Sequence, residues 1–168
     1  MTPPVEVAEF NGLGAEEAAG LPASACASSA WRRVVVASRP YGSVGEVAAT
    51  SDGVIRAMGW PDVEEALAAH PPIGERPTGE SREAGWSGQE QAGALAAPAE
   101  VATALRDGNA AYEERFGHVF LIHATAKTAD EMLAALHERL TNDDAAEQQV
   151  VRRELAAIVR VRLAKILR

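Results

Sequence analysis

The chain has 168 residues, 47% of them hydrophobic, which suits one domain large enough to bury a core and a sheltered pocket. A formal charge of -8 opposes binding to nucleic acid or to anionic membranes, because both need a basic surface. Cys26 is the only cysteine, so an internal disulfide and a thiolate metal cluster are both excluded, and a reducing compartment fits.

Alanine, leucine, glutamate and arginine dominate while β-branched runs are scarce, so an all-α fold is expected: a single compact domain of about eight helices over 1–168, with 1–9 a loosely ordered start. Met1 to Glu6 has neither a basic n-region nor an apolar core, and no segment approaches the ~18 apolar residues that span a bilayer. The ending Lys165-Ile166-Leu167-Arg168 is not the Ser-Lys-Leu peroxisomal address, so the expected location is cytoplasmic.

Candidate helices cover about 14–21, 24–38, 43–57 and 61–69, then 86–96, 98–116, 128–141 and 144–167. Val34-Val35-Val36 could read as a strand, but no turn signal separates Ser24 from Ser38, so buried helix is expected there. Pro61 and Pro98 fall at first-turn positions, and Thr128 and Asn142 or Asp143 fit as N-caps. Residues 71–85 are rich in Pro, Gly, Ser and charge and read as a long loop. Val101, Leu105, Gly108 and Tyr112 form one inward helical stripe. The basic residues of the last turns, among them Arg152, Arg153 and Lys165, complement a helix C-terminal dipole.

Several motifs fail on their own chemistry. Gly12-Leu13-Gly14 lacks the third glycine of a dinucleotide loop, since Glu17 stands there and no strand precedes it. His137-Glu138 opens an HExxH pattern, but Thr141 replaces its second histidine, so His137 reads as a surface residue. His118 and His123, five apart, share a face of neither a helix nor a strand, and no metal site is expected.

Three polar elements remain. His70 ends a helix at two stiffening prolines, Pro71 and Pro72, which fixes the ring's position. It reads either as a cation favouring a helix C-terminus or as a catalyst, and the residues alone favour the first. In Trp86-Ser87-Gly88-Gln89-Glu90-Gln91, Ser87 as N-cap and Glu90 at N3 would form a capping box, leaving N–H groups free for a ligand. On the final helix, Val151, Leu155, Ile158, Arg162 and Ile166 lie on one face, so Arg162 interrupts the buried stripe while Arg160 points to solvent. A buried arginine needs an anionic or carbonyl partner, and a side chain snorkelling at the stripe's edge is the alternative.

Taken in order, these segments resemble the 2-oxo-4-hydroxy-4-carboxy-5-ureidoimidazoline (OHCU) decarboxylase family. The residues are Phe10-Asn11-x-Leu13, Cys26-x-Ser28-Ser29-x-Trp31, Arg39-Pro40-Tyr41, His70-Pro71-x-Ile73-Gly74, Ser87-x-x-Glu90-Gln91, Asn109-x-x-Tyr112-x-x-x-Phe116-Gly117-x-x-Phe120, Arg139-Leu140-x-Asn142 and Glu154-Leu155-x-x-Ile158-x-x-x-Arg162-Leu163. Pro72 departs from the polar residue common at its place.

The resemblance implies an enzyme that decarboxylates a ureide to (S)-allantoin in urate degradation, without a cofactor or metal, as a homodimer. It implies that His70, Glu90 and Arg162 are the catalytic groups. Substrate binding is implied for Pro71, for Ser87, Gly88, Gln89, Glu90 and Gln91, and for the backbone at Phe120, Leu121, Ile122, His123 and Ala124. The alternative is a catalytically silent helical protein-interaction or regulatory domain on the same scaffold. Retention of His70, Glu90 and Arg162 together opposes it, since a scaffold needs none of them.

Overall fold

The computed structural model describes residues 2–79 and 82–168, and the fold is all-α. Among the described residues the helices are α1 (Val7–Gly12), α2 (Ala15–Gly20), α3 (Ser29–Ala37), α4 (Val44–Ala57), α5 (Trp60–Leu67), α6 (Arg82–Glu90), α7 (Ala92–Leu95), α8 (Ala99–Phe116), α9 (Ala129–Arg139) and α10 (Asp144–Ile166), with a 3-10 turn at Pro22–Ser24. Ten helices replace the expected eight or so because α1 is an extra short helix and the expected helix over 86–96 is divided into α6 and α7. No helix among the described residues is long and apolar enough to cross a membrane.

The chain forms two compact units, one of residues up to Ala66 with Leu155–Arg168, the other of Leu67–Glu154. In the first, Val5 and Val7 are tied to the last residues through backbone hydrogen bonds. Val5 N–H donates to the Ile166 carbonyl at 2.8 Å, Arg168 N–H donates to Val5 at 3.0 Å, and Val7 N–H donates to Arg168 at 3.0 Å. These bonds join residues some 160 positions apart, which no local pattern encodes.

α3 is the helix expected through Val34-Val35-Val36, but only Val35 is buried and Val34 stays 39% exposed. Ser28 caps it, accepting from Trp31 N–H at 3.3 Å, and the buried Trp31 indole donates to Ser51 Oγ at 3.0 Å. Two motif segments interlock in this unit. Asn11 exchanges hydrogen bonds with the backbone of Tyr41 at 2.7 and 2.8 Å, and Arg39 donates to the carbonyls of Phe10 and Leu13 at 2.7 and 2.9 Å. The Phe-Asn-x-Leu and Arg-Pro-Tyr segments thus serve the fold, by satisfying the carbonyls where α1 ends.

In the second unit, α8 presents the expected stripe inward, with Leu105, Gly108 and Tyr112 buried and Val101 half-buried at its start. Pro98 stands one residue outside the helix, as its N-cap. Gly117, with φ of 79°, closes α8 in the left-handed conformation that favours glycine. α9 starts on a capping box in which Glu131 N–H donates to Thr128 Oγ1 at 3.2 Å and Thr128 N–H donates to Glu131 at 2.8 Å. Asp143 rather than Asn142 caps α10, accepting from Ala146 N–H at 2.8 Å.

Close approach is decisive at two glycines. A Cβ at Gly108 would lie 2.7 Å from Leu136 Cδ2, so the Leu136 side chain of α9 packs directly on the α8 backbone there. At Gly93 on α7 it would lie 2.3 Å from the Lys127 carbonyl oxygen, a backbone atom that cannot rotate away. Gly93→Ala should therefore destabilise the protein by about 1–3 kcal/mol. Urea unfolding measures this, and an unchanged midpoint would mean that α7 is free to shift.

Candidate active site

His70 lies three residues beyond the last residue of α5, in the turn that closes it, where its N–H donates to the Leu67 carbonyl at 3.0 Å. The helix thus stops earlier than expected, and His70 sits half-buried just past it. His70, Pro71 and Ser87 meet around a cavity of about 250 Å³, together with Pro77, Thr78 and Glu83. A larger groove of about 800 Å³ in the first unit holds none of the expected site residues except for motif positions such as Asn11 and Arg39, and its lining has arginines but neither histidine nor carboxylate.

The opposite wall of the smaller cavity corrects the sequence reading. α6 begins at Arg82, so Ser87 is interior to the helix, Glu90 is its last residue, and the expected capping box between them does not form. Arg82, Glu83 and Ala84 are good helix formers, and Glu83 in the first turn complements the dipole, which carries the helix through Gly85. The expected 71–85 loop is shortened accordingly. The backbone N–H groups expected to be free for a ligand at Ser87 to Gln91 lie within the helix, where Gln91 N–H donates to the Ser87 carbonyl at 3.0 Å.

Side chains on α6 divide by helical face. Ser87 and Gln91, four apart, are each 5% exposed, and Glu90 is half-buried one turn from Ser87. Gln89, about 200° around from Ser87, is exposed, and Gly88 is half-buried. Gln91 reaches across to the histidine loop. Its Oε1 accepts from Gly74 N–H at 3.2 Å and its Nε2 lies 3.5 Å from the Pro71 carbonyl. Asn109 on α8 donates from Nδ2 to the Ile73 carbonyl at 2.8 Å.

The segment 120–124 belongs to no helix or strand and lines the interior. Phe120, Ile122 and Ala124 join a hydrophobic cluster with Ile73, Tyr112 and Leu136, while Leu121 is buried and His123 half-buried. Most of its side chains are therefore core, and backbone is what it can offer a ligand. That backbone is braced on three sides. Arg139 Nη1 donates to the Leu121 carbonyl at 2.5 Å, His123 N–H donates to Glu154 at 2.7 Å, and Lys127 Nζ donates to the His123 carbonyl at 2.7 Å.

Arg139 belongs to a buried network. Its Nε and Nη2 donate to Glu147 Oε1 at 2.8 and 2.6 Å, the Tyr112 hydroxyl donates to the same oxygen at 2.5 Å, and Asn142 Nδ2 donates to Glu147 Oε2 at 3.0 Å. The guanidinium also lies 4.5 Å from the centre of the Phe120 ring. Burial, and next the hydrogen bond to Glu147, push the Tyr112 hydroxyl well above the usual phenol range, so it remains a donor. Sequence reasoning missed Glu147 as a buried group. Extending the α10 stripe one turn back from Val151 reaches it, since it lies four residues before Val151.

Arg162 on α10 is 4% exposed, beside the buried Ile158, Val159, Leu163 and Ile166, so it is not a snorkelling edge residue. Arg160 is exposed and pairs with Asp52, as the periodicity required. Cys26, also buried in the first unit, feels the charge of Arg162, but burial outweighs it and pushes the thiol up to about 11. It stays protonated near neutrality and is not the counter-ion of Arg162. Arg162 belongs to the first unit, and His70, Glu90 and the 120–124 segment to the second.

Comparison with known proteins adds a separate line of evidence. The chain matches the OHCU decarboxylase family over residues 11–164. It is 33% identical over 144 residues to the uric acid degradation bifunctional protein TTL of Arabidopsis thaliana, covering 84% of this chain and 44% of that protein, so it spans less than half of this relative. It is 32% identical over 139 residues to the 2-oxo-4-hydroxy-4-carboxy-5-ureidoimidazoline decarboxylase of Amia calva, covering 79% of this chain and 77% of that protein. Among solved structures, it resembles an OHCU decarboxylase crystallised in the presence of (S)-allantoin, with a TM-score of 0.73 at 28% identity over 85% of this chain and 94% of that one. An (S)-allantoin synthase gives a TM-score of 0.72 at 19% identity over 96% of this chain and 54% of that one, a likeness of fold alone. With nearly its whole length matched, this chain belongs to the OHCU decarboxylase family.

Proposed function

We propose that the chain catalyses the cofactor-independent decarboxylation of 2-oxo-4-hydroxy-4-carboxy-5-ureidoimidazoline to (S)-allantoin, a step of urate degradation. The observation that carries this reading is the meeting of His70, Pro71 and Ser87, from two separate family motifs, around one cavity. The substrate has a carboxylate and a hydroxyl on one ring carbon beside a carbonyl or imine. When the bond to the carboxylate carbon breaks, its electron pair delocalises into that neighbour, and CO2 departs. A proton then delivered from one face to the neighbouring carbon that bears the ureido group, while the hydroxyl of the decarboxylated carbon gives up its proton to become a carbonyl, yields a single enantiomer. The protein's tasks are to orient the scissile bond, stabilise developing charge and deliver that proton.

His70 is the proton donor, a role suited to an imidazole near neutrality. Glu90 orients the imidazole or hydrogen-bonds the ring N–H and hydroxyl groups of the substrate. Arg162 meets the ring oxygen that gains charge rather than the departing carboxylate, because holding the carboxylate stabilises what must be lost. Pro71, the segment Ser87 to Gln91, and the backbone of 120–124 complete the substrate site. The enzyme acts as one module in the cytoplasm, as a homodimer, in keeping with its single buried cysteine, its acidic charge and its family.

The test generates the substrate from urate with the two preceding enzymes and follows circular dichroism. Accelerated, enantioselective appearance of (S)-allantoin is the expected result. No acceleration by folded protein would leave the scaffold as a silent interaction domain.

A further inference from the structure

We propose that Asn109 is a positioning residue for His70, and that the side chain of Gln91, within the segment proposed to bind substrate, acts with it by holding the histidine loop; this rests on the decarboxylase reading. Pro71 and Pro72 have no backbone N–H, so the two residues that follow His70 offer no donor to hold the segment. Its carbonyls must still be met, and they are. The Pro72 carbonyl accepts from Glu75 N–H at 3.1 Å, that of Ile73 accepts from Asn109 Nδ2 at 2.8 Å, and that of Pro71 faces Gln91 Nε2 at 3.5 Å. The segment's N–H at Gly74 donates to Gln91 Oε1 at 3.2 Å. Backbone polarity fixes both amide orientations, since a carbonyl needs the NH2 end and an N–H needs the oxygen.

Burial gives these bonds their force. Asn109 is 7% exposed, Gln91 5% and Ile73 4%, so water cannot replace a lost partner. Asn109 is itself placed by its neighbours on α8, where Gly108 meets Leu136 without a side chain and Leu105 and Tyr112 are buried on the same face. The loop that carries His70 is thus keyed to the core of the second unit through one short amide. With both ends of its side-chain amide on the loop, Gln91 holds the rim of the cavity. A proton donor displaced by about 1 Å loses on the order of 100-fold in rate, so what fixes the loop fixes the chemistry.

The experiment compares the full chain with Asn109→Ala, Gln91→Ala and Gln91→Glu, measuring kcat and KM separately alongside thermal unfolding. The expected result is a fall in kcat of about 10- to 100-fold for both alanine variants, with KM within about threefold for Asn109→Ala, and a smaller fall for Gln91→Glu, which keeps an acceptor for Gly74 N–H. Folded variants with unchanged kcat would overturn the proposal. So would a raised KM at unchanged kcat, since that is the signature of a substrate contact. If Asn109→Ala does not fold, the two Gln91 variants decide. NMR of the His70 imidazole, assigned by comparison with His70→Asn, tests the positioning without turnover: one sharp signal set in the unaltered chain, shifted and broadened in the alanine variants. Unchanged signals would overturn the proposal, whereas an unaltered chain without turnover would sink the decarboxylase reading alone.

Discussion

Replacement of His70 by asparagine should lower kcat by about 10²- to 10⁴-fold, the usual contribution of a positioned proton donor, while binding of a substrate analogue weakens far less. Asparagine keeps a polar group of similar reach but carries no proton that it can release near neutrality. The substitution is also mild for the fold. The backbone bond from the N–H at position 70 to the Leu67 carbonyl is kept by asparagine, and His70 is only half-buried. Single-turnover kinetics with enzymatically generated substrate, set beside calorimetric titration with an analogue, separates the two effects. Retention of most of the rate would remove His70 from the mechanism.

The largest effect on stability should come from Arg139→Met, at about 3–5 kcal/mol. Glu147 is 0% exposed, and two of the donors that hold its charge are guanidinium nitrogens of Arg139. Among the described residues the carboxylate then keeps only the Tyr112 hydroxyl and the Asn142 amide, and the Leu121 carbonyl loses the Arg139 donor as well. The cost is that of a stranded buried charge, not the net worth of the pair. Arg139→Met combined with Glu147→Leu should therefore be less damaging than the sum of the single changes, by more than about 1 kcal/mol. Urea denaturation of the four proteins closes the cycle. A single-variant loss below about 1 kcal/mol would contradict the network.

Where local periodicity decides structure, the sequence is legible. The α8 stripe, the N-cap at Thr128, and the choice of Arg162 over Arg160 as the buried arginine all follow from the 3.6-residue repeat and helix-end chemistry. Where the outcome depends on distant partners, it is not. Pinning of Val5 and Val7 by the last residues rests on backbone groups that any sequence carries. Placing the start of α6 failed for a different reason. Ser87 and Glu90 have the spacing of a capping box, yet Arg82, Glu83 and Ala84 before them extend the helix and outweigh that signal. The roles of Asn109 and Gln91 required knowing which carbonyls the prolines leave facing inward. For His70 itself, residue chemistry alone favoured a helix-end cation, and the family motif together with the cavity it shares with Ser87 supports the catalytic reading.

The hydroxyl of Tyr112 gives the second unit an alkaline limit. Burial raises its folded pKa above the ~10 of an unfolded tyrosine, so below pH 10 both states hold the proton and the group adds no pH dependence. Above that, the unfolded chain releases a proton that the folded chain retains, and stability falls as pH rises toward the folded pKa. Tyr112→Phe should flatten that alkaline decline in a series of urea midpoints taken upward from pH 9, and an unchanged slope would exclude Tyr112 as its source. A phenol that serves neutral-pH architecture as a silent donor to Glu147 thereby becomes, in strong base, the unit's point of failure.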